Sequence, residues 1–531
     1  MGMVPVIVED YTPVWRCLET RLGQLAYLRR GMELFGAGDV PYALHSDGRL
    51  ADLAAELLLR SLRTAGPAAD AAVCVEEIGF GSALFARQFL DAFQAKCATG
   101  AKDYYERLRY VAVDQSERMV DDAERHAILA PHRSHVDYAT GDALSRERRW
   151  RDASSRQLPR TRRAFFLNYL LDSLPGAVVR THEGRLEQLW VRTELPRRAG
   201  EEPRREWIDA LREGNPETLG DAAEDYSRLV MRCEFRPAGD DLPLREIAPD
   251  GTRPQIHAFA AAHCLTTCLA DVDEDGFLLV SDYPSDPKGP LPVPDRFGRA
   301  VAMPVGFAQL ERYLRESLHA DCACEAIVQP SWALLLAGRR LPPAVREEFT
   351  SRVEQFRRFD PVARAFELRD AGRFQSALDA FEQAAREMPQ HWRLWADFAQ
   401  FCLTTLGNPA DALPMAERAV ALNPVDGHAR CMLGECELAA GEIGRAERTF
   451  EKALELGAGA RGLAGLAEAA RRDKRFGAAL SLIASGFGSD PLCRYREVLL
   501  HVQNDVLREL AEAAEVRSRV LADRWIKPPG C

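Results

Sequence analysis

Two acidic residues end two short apolar runs of this 531-residue chain, and a pair of glycines lies between them. Glu77 ends the first run, Gly79 and Gly81 follow it, and Asp114 ends the second run after an amphipathic stretch. Glycines let the backbone come close to a ligand, and a helix after the loop presents free N–H groups. An acid at the end of the second strand can accept both hydroxyls of a ribose. The stretch from Val73 to Asp114 therefore predicts a nucleotide-type cofactor site at the C-terminal edge of a parallel sheet.

The third position of the glycine pattern indicates which cofactor the site takes. A dinucleotide loop reads G-x-G-x-x-G/A, and its third small residue packs the helix on the strand. Leu84 occupies that place here, and Glu77 is poorly suited to lie beside a pyrophosphate. An acid before the loop suits a ligand with a cationic sulfonium and an amino group, so we predict S-adenosylmethionine (SAM). An ordinary strand–helix turn is the alternative, because short glycine motifs are common.

Later strand ends add polar groups to the same predicted edge. Asp142 follows a third predicted strand and would accept from the adenine amino group, and Asn168 follows a fourth and would face the transferred methyl group. Because parallel strands end at one edge of a sheet, we expect these groups to surround one ligand. The predicted cofactor-binding residues of this edge are Glu77, Gly79, Gly81, Asp114, Gln115, Asp142, Ala143 and Asn168.

Alternating strands and helices must position these groups, which predicts an α/β Rossmann-like domain. Besides the two apolar runs above, the predicted strands are His135 to Tyr138, Ala164 to Leu167 and Gly276 to Tyr283, with antiparallel closing strands at Ala300 to Val305 and Cys324 to Gln329. A hairpin is predicted from Val178 to Leu195, with its turn at Glu183-Gly184. The predicted helices run from about Trp15 to Ala65 and from Ile256 to Ala270, and the polar segment from Pro196 to Pro254 is predicted as an insertion of helix and loop.

The C-terminal part of the chain repeats with a period near that of a helical hairpin. Alanines recur at Ala377, Ala412, Ala446 and Ala479, and glycines accompany them at Gly372, Gly407 and Gly441. Two segments, at 372–384 and 441–456, strongly resemble tetratricopeptide repeats. We therefore predict an all-α repeat solenoid, whose concave surface would bind a protein or peptide. An oligomerisation or assembly module is the other interpretation of these repeats.

Composition and charge narrow the classes of function. A net charge of −11 argues against nucleic acid as the main partner. The basic run from Arg146 to Arg163 is interpreted as a solvated loop or a face for an acidic peptide. No apolar stretch reaches the ~18 residues of a membrane span, and no secretory signal is visible, so we expect no membrane partner.

Cysteine usage bears on metal binding and on the cellular compartment. The 13 cysteines show no paired C-x-x-C spacing, which fits a reducing cytosol and predicts a cytoplasmic protein without a metal. His319, Cys322 and Cys324 form a close group that could hold a metal, but a hairpin with buried thiols is favoured. A homodimer is compatible with the sequence, which does not determine the oligomeric state.

The block from about Leu34 to Leu336 resembles the MidA family of SAM-dependent methyltransferases, which includes a mitochondrial factor for assembling respiratory complex I. The resemblance depends on five motifs in the family's order and spacing: F-G-A-G-D-V-P-Y at 35–42, E-I-G-F-G at 77–81, Asp114 with Ser116, F-F-L-N-Y-L-L-D-S-L-P at 165–175, and G-F-L-L-V-S-D-Y at 276–283. It implies a Rossmann-like methyltransferase that acts on a protein side chain, which is arginine in the mitochondrial branch.

The resemblance also implies roles for residues outside the cofactor loop. Asn168 and Asp172 would lie by the acceptor, and Gly38 and Asp39 would lie on the N-terminal segment that covers the cofactor. A nitrogen or oxygen acceptor also needs a base, and we predict Asp172 or Asp282 in that role.

The chain departs from the family pattern at the acceptor side. The family's acid after Asn is Tyr169 here, and a tyrosine offers only a weak hydroxyl to a guanidinium. The glycine after D-Y is Pro284, and the family's threonine in the N-terminal segment has no clear counterpart. These departures leave arginine open as the acceptor, although Asp172, Asp282 or Glu194 could supply a carboxylate.

Four regions follow from these patterns: residues 1–70 as an N-terminal helical segment over the cofactor site, 71–345 as the methyltransferase domain with an insertion at about 196–254, 359–490 as the repeats, and 491–531 as a capping helix and tail. Three functions remain in competition. The chain is a protein or peptide methyltransferase whose repeats recruit the substrate, a small-molecule methyltransferase of a biosynthetic pathway, or a catalytically silent assembly scaffold.

Overall fold

A computed structural model describes residues 4–36, 40, 46–66, 71–100, 102–152, 155, 158–197, 209, 229–286, 288–297, 300–326, 332–358, 361–490 and 493–526. Apart from Gly36, the described residues up to His391 form one compact unit, and those from Trp392 onward form a second. Within the described ranges, no helix combines the length and the apolar character needed to cross a bilayer.

The first unit is organised around an eight-stranded sheet. Its strands, in spatial order, are β14 (Asp321–Ala326), β15 (Ala333–Gly338), β11 (Val272–Asp282), β6 (Arg162–Asn168), β2 (Val73–Ile78), β3 (Leu108–Asp114), β4 (Val136–Thr140) and β5 (Arg149–Trp150). The five strands from β11 to β4 are parallel. Strands β15 and β5, which flank them, are antiparallel to their neighbours β11 and β4, and β14 pairs antiparallel with β15 at the edge. Apolar residues fill β2, β3 and β6 almost without alternation, as in strands that are covered on both faces.

Helices cover this sheet. They are α1 (Leu18–Arg30), α2 (Glu33–Gly36), α3 (Arg49–Ala65), α4 (Leu84–Ala98), α5 (Lys102–Glu106), α6 (Glu117–Arg125), α7 (Phe259–Asp271), α8 (Phe307–Glu316) and α9 (Pro343–Arg358). Helix α4 packs through Phe85 and Phe89, whose rings lie 5.4 and 5.0 Å from the ring of Phe166 on β6. These aromatic contacts fix the glycine loop that precedes α4 against the sheet.

The strand order places a site at the centre of the sheet. The chain runs outward from β2 to β3 and β4, and then returns to β6 on the other side of β2. Loops after β2 and β6 leave the sheet in opposite directions at this point, which opens a crevice between them. The crevice lies at the C-terminal ends of β2, β3, β4 and β6, where the predicted cofactor residues stand.

A second sheet was only partly predicted. The hairpin of β7 (Ala177–His182) and β8 (Arg185–Arg197) has the predicted turn, and it joins β1 (Val4–Pro13), β9 (Val230–Pro237) and β10 (Gln255–His257). Strand β1 was not predicted, so the N-terminal region is not helical throughout. Strand β9 lies in the segment predicted as helix and loop, so that prediction is wrong for these residues. Both strands were missed because they pair with β8 through backbone bonds that leave no clear side-chain pattern.

The closing strands also differ from the prediction. Residues Ala300–Ala302 form β13, which pairs only with β12 (Asp295–Phe297) in a separate two-stranded sheet. Strand β15 takes the predicted place in the main sheet, between β11 and β14. Its continuous apolar run, A-L-L-L-A-G, carries no alternation that distinguishes a strand from a buried helix.

Helical pairs follow the sheet domain: α10 (Pro361–Asp370) and α11 (Phe374–Glu387) in the first unit, then α12 (Trp392–Gln400) and α13 (Pro409–Leu422), α14 (Gly427–Ala439) and α15 (Ile443–Glu455), and α16 (Gly459–Arg472) and α17 (Phe476–Gly488) in the second. A long helix, α18 (Arg496–Ile526), ends the described chain. The four periodic alanines, Ala377, Ala412, Ala446 and Ala479, are all fully buried in the second helix of a pair. The turns within the first three pairs hold a positive-φ glycine, and Lys474 takes that place in the fourth.

Candidate functional site

The C-terminal ends of β2, β3, β4 and β6 meet at one cavity, which has a volume of about 240 Å³. All eight predicted cofactor residues of the strand edge line it: Glu77, Gly79, Gly81, Asp114, Gln115, Asp142, Ala143 and Asn168. Phe35 and Val40, which belong to the N-terminal segment at 35–42, line it as well. Gly38 and Asp39 lie outside the described residues.

Glu77 is a buried acid held by two neutral donors. The Tyr110 hydroxyl donates to Oε2 at 2.7 Å, and the Asn168 amide nitrogen donates to Oε1 at 3.3 Å. Burial raises the pKa of Glu77 to about 8, against the lowering effect of these hydrogen bonds. The Asn168 Oδ1 atom is buried and has no hydrogen-bond partner among the residues that the structure describes. The site therefore presents an acid and an unsatisfied acceptor to whatever enters the cavity.

Asp114 is the second buried acid of the cavity. The backbone N–H groups of Ser116, Gly81 and Gln115 donate to its carboxyl group, with Ser116 at 2.9 Å. Burial still raises its pKa to about 6. These backbone donors fix the carboxyl group at the end of β3 and tie it to the glycine loop.

The two glycines of the loop meet a steric requirement. Gly81 has a φ of 52°, and a Cβ added there would lie 2.7 Å from the Phe35 ring. Gly79 has a φ of 74°, and its N–H donates to the Val113 carbonyl at 2.7 Å. Both positions lie in the left-handed region that favours glycine, so the loop conformation needs these residue types.

The other end of the cavity is formed by the loop after β4. Asp142 is exposed and accepts the Leu144 N–H at 2.9 Å, while Ala143 is buried against the sheet. An exposed carboxylate beside a buried small residue gives a polar rim over an apolar slot, which suits a flat heterocycle with an amino group.

The donor and acceptor inventory of the cavity matches SAM. Glu77, Asp114 and the orphaned Asn168 oxygen are acceptors, so the ligand must bring donors or positive charge. SAM brings an ammonium, a sulfonium and two ribose hydroxyls. A pyrophosphate would place two negative charges near the buried acid Glu77, which disfavours a dinucleotide on electrostatic grounds.

A narrower cavity of about 20 Å³ adjoins the first. Five residues line both cavities: Gln24, Tyr27, Gln115, Ser173 and Leu174. Asp172 lines only the narrower one, and burial raises its pKa to about 7. The carboxyl group is therefore close to its midpoint at neutral pH and can accept a proton from a group that enters this cavity.

Asp282 does not line either cavity. Its carboxyl group accepts the N–H groups of Leu171 at 2.8 Å, Asp172 at 3.2 Å and Tyr283 at 2.8 Å. Burial and the neighbouring Asp172 raise its pKa well above the usual range. Asp282 therefore holds the loop that carries Asp172, and its role as a catalytic base stays a prediction.

Tyr169 replaces the family's acid in an unusual backbone state. It lines the cofactor cavity with a φ of 48°, and its ring centroid lies 5.1 Å from that of Tyr283. Burial raises the pKa of its hydroxyl far beyond the usual range, so the group stays neutral. Glu194, the third carboxylate considered, lies on β8 and pairs with Arg192 and Arg232, so it takes no part in this site.

Several residues that contact the site from other elements were not predicted from the sequence. Tyr110 lies inside β3, and Gln24 and Tyr27 lie on α1, far from every motif. Ser173 follows the predicted Asp172 and could have been included on position alone. No pattern in the sequence marks the other three, because their role comes from packing.

Among the described residues, no three or more His, Cys, Asp or Glu side chains form a metal-binding group, and Cys322 and Cys324 lie on β14.

Comparison with known proteins agrees with this chemistry. Residues 53–300 match the family model described as "Putative S-adenosyl-L-methionine-dependent methyltransferase". Residues 403–469 match a tetratricopeptide-repeat model. No curated protein matches the chain.

Three solved structures illustrate the likeness. A COG1565 superfamily protein from Burkholderia thailandensis is 17% identical over 60% of this chain and 74% of its own, with a TM-score of 0.38. A second structure from the same organism, described as a "COG1565 superfamily member and likely methyl transferase" bound to S-adenosyl-homocysteine, is 18% identical over 59% of this chain and 73% of its own, with a TM-score of 0.37. A tetratricopeptide-repeat protein of Thermus thermophilus is 18% identical over 31% of this chain and 90% of its own, with a TM-score of 0.26.

The matched models and the fold give two conclusions. The sheet domain is that of a SAM-dependent methyltransferase, with SAM as its cofactor, and the helical pairs are tetratricopeptide repeats. The predicted fold class, a Rossmann-like α/β domain followed by an all-α repeat region, is confirmed.

Proposed function

We propose that this SAM-dependent methyltransferase modifies a side-chain nitrogen of a protein or peptide, and that its repeats recruit the polypeptide. The observation that carries the proposal is the narrow cavity beside the cofactor cavity, with the Asp172 carboxyl group in its wall. A space of about 20 Å³ holds about one water molecule, so it excludes a whole metabolite and leaves room only for the terminal atom of a side chain.

The protein's part in the reaction is positioning and proton removal. Glu77 and Asn168 would hold the amino-acid end of the cofactor, Asp114 the ribose, and Asp142 with Ala143 the adenine. SAM, when bound, would supply an activated methyl group on its sulfonium, which becomes a neutral thioether on transfer. Asp172 would accept the proton that the acceptor nitrogen releases. Alignment of the two reacting groups accounts for about 7–11 kcal/mol of barrier reduction in such reactions.

Arginine is the acceptor that we favour. Asp172 can orient a guanidinium as well as remove its proton, so a carboxylate remains available although Tyr169 replaces the family's acid. On this basis we propose that the domain is a distant MidA-like methyltransferase. The neutral Tyr169 hydroxyl supports a second candidate, a silent scaffold that keeps the fold without the reaction.

Recruitment by the repeats follows from their general property. Stacked helical hairpins form extended surfaces that bind polypeptides, and repeats of this class mediate protein–protein interaction. We further propose a cytoplasmic location, since the described cysteines are all free thiols, as a reducing compartment requires.

Calorimetry with S-adenosyl-homocysteine tests the cofactor site first. Asp114→Asn should weaken binding about tenfold or more, because it removes a charged acceptor of the ribose hydroxyls. Asp103→Asn, an exposed acid on α5, serves as the control and should leave the affinity unchanged. Equal affinity in the wild type and Asp114→Asn would contradict the assignment.

Mass spectrometry of co-purified partners then tests methyl transfer. Partners should gain the mass of one methyl group with the wild type and not with Asp172→Asn, which should still bind S-adenosyl-homocysteine. An unmodified partner with the intact, cofactor-binding protein would favour the silent scaffold. Modification of a small molecule instead would overturn the choice of substrate class.

A further inference from the structure

A third cavity, of about 310 Å³, lies on the other side of the loop after β4. It is bounded by β2 and β6 of the main sheet, by α7, and by the segment that leads from β4 to β6. The described residues of that crossover contain no α-helix, whereas a crossover between parallel strands is usually a helix. The sheet face is therefore left open at this place, and long arginine side chains surround the space.

Two of these arginines, Arg148 and Arg162, are held in place by hydrogen bonds to other residues of the protein. Glu76 is buried and accepts hydrogen bonds from Arg148 at 3.0 Å and from Arg162 at 2.8 Å. Arg148 also donates to the Ser145 carbonyl at 2.7 Å. These contacts fix both guanidinium groups in the wall of the cavity, where their positive charge exceeds the single charge of Glu76.

The other two arginines are incompletely neutralised. Arg146 and Arg160 share one carboxyl group, that of Asp271, at 3.3 and 3.8 Å. Both distances are longer than the roughly 2.7–2.9 Å of a charge-assisted hydrogen bond. Their side chains are 43% and 77% exposed, so they can move to meet a ligand. In total, four guanidinium groups and two carboxylates line the cavity of a chain whose net charge is −11.

The wall of the cavity is mixed in character. Besides the arginines and acids, carbon and sulfur surfaces are supplied by Ile78, Ala143, Trp150, Leu158, Phe165 and Cys268. A space lined by guanidinium groups and by apolar surfaces is complementary to an amphipathic anion. Its volume lies at the lower end of the roughly 300–1,000 Å³ typical of small-molecule sites, which favours a small ligand over a peptide.

We propose that this cavity binds a small organic anion, with a carboxylate or phosphate group on Arg146 and Arg160 and an apolar body inside. Guanidinium groups match both anions through paired N–H donors. The inference is independent of the proposed methyl transfer. Ile78 and Ala143 line this cavity and the cofactor cavity alike, so the two ligands would lie on opposite sides of one wall.

Calorimetry on the full chain saturated with S-adenosyl-homocysteine tests the site. The probes are phenyl phosphate and benzoate, which separate the two anionic groups, and benzyl alcohol as the neutral counterpart. At least one anion should bind, and the double variant Arg146→Gln/Arg160→Gln should weaken it about tenfold or more. Arg149→Gln is the matched control, because Arg149 is exposed on the same segment, pairs with Glu117 and does not line the cavity.

A second variant tests the apolar interior without changing charge. Thr267 lines the cavity from α7, and Thr267→Trp should fill it and weaken the anion by a similar factor while all four arginines remain. The proposal is overturned if neither anion binds, if benzyl alcohol binds as tightly, or if both variants keep wild-type affinity. Displacement of the probe by S-adenosyl-homocysteine would place it in the cofactor cavity and overturn the proposal as well.

Discussion

At the scale of single residues, the site is defined by acids whose pKa values are raised by burial. Glu77, Asp114 and Asp172 all show this shift, and Glu77 is also contacted by two neutral donors. A buried carboxyl group without a cation is costly in its ionised form, and the pKa of Glu77, about 8, means that the ligand-free protein holds a proton on this group at neutral pH. A cationic ligand removes that cost, which couples cofactor binding to proton release.

The first prediction follows from Glu77. Its pKa is about 8 in the folded protein and 4.5 ordinarily, so below pH 8 a proton must leave before the carboxylate meets cationic SAM. SAM affinity should therefore rise with pH, by up to about tenfold per unit, and level off above about pH 8. Calorimetry across this range checks the slope. Glu77→Gln should bind weakly with a smaller slope, and a slope unchanged by Glu77→Gln would contradict the assignment.

The same shift has a consequence for stability. Because the folded state holds a proton that the unfolded chain releases, the free energy of unfolding of the ligand-free protein should fall between about pH 4.5 and pH 8. Saturating SAM should reduce this fall, since the carboxylate is then paired. Urea unfolding with and without the cofactor measures both effects.

The second prediction concerns Asp282. Asp282→Ala would leave three buried backbone N–H groups without acceptors, at a cost of about 3 kcal/mol or more. Asp282→Asn keeps one carbonyl oxygen and should cost less. Asp286→Ala is the matched control, because that exposed carboxylate accepts only the Lys288 N–H. Urea unfolding is measured below the pKa of Asp172, where repulsion between the Asp172 and Asp282 carboxylates does not contribute. A loss of less than about 1 kcal/mol in the free energy of unfolding of Asp282→Ala would contradict the positioning role.

At the scale of elements, turns and helices impose different demands on the same residue type. Gly441 lies in the turn between α14 and α15 with a φ of 83°, and no atom lies within 4 Å of the place of a Cβ. Gly477 lies inside the first turn of α17, also with open space around it. At these two positions, a substitution therefore changes stability through backbone strain or helix propensity and not through packing.

The third prediction uses this pair. Gly441→Ala should destabilise the repeats by about 1 kcal/mol, because alanine is strained at positive φ. Gly477→Ala should stabilise them by about 0.5 kcal/mol, because glycine is a poor helix former. Urea unfolding followed by circular dichroism measures both, and equal signs for the two variants would contradict the turn assignment.

At the scale of the whole molecule, the reactivity of the cysteine thiols can be used to follow the folding of both compact units. Of the described cysteines, Cys233 and Cys493 are exposed, Cys324 is half-buried, and the other nine are buried. Most of the thiols are thus protected by folding, and they lie in the sheet domain and in the repeats alike.

The fourth prediction concerns thiol reactivity. In a Cys531→Ser background, native protein should show two thiols that react readily with a disulfide reagent and one that reacts more slowly. The other nine should react only as the chain opens. S-adenosyl-homocysteine should slow the reaction of Cys74 and Cys264, because a ligand stabilises the fold to which it binds. Rapid reaction of all the thiols in native buffer would contradict this packing.

Much of the fold was predictable because its signals are local. The strand ends at Glu77, Asp114 and Asn168 follow from short apolar runs, and the repeats follow from regular alanine and glycine spacing. Strands β1, β9 and β15 were not predictable in this way. Strands β1 and β9 pair with β8, which is distant in sequence, and the residues of all three strands carry no clean alternation.

The sequence by itself determined the cofactor loop, the order of strand-end acids and the class of the repeats, because each depends on residue type and spacing along the chain. Only the tertiary structure decided which carboxylate faces a cavity. Asp172 and Asp282 are equivalent as sequence features, but one lines a cavity and the other accepts three backbone N–H groups. Likewise the basic run, predicted as a solvated loop or a face for an acidic peptide, contributes arginines to a cavity wall. Burial and contacts between distant segments set the charge and reach of a side chain, and no local pattern records them.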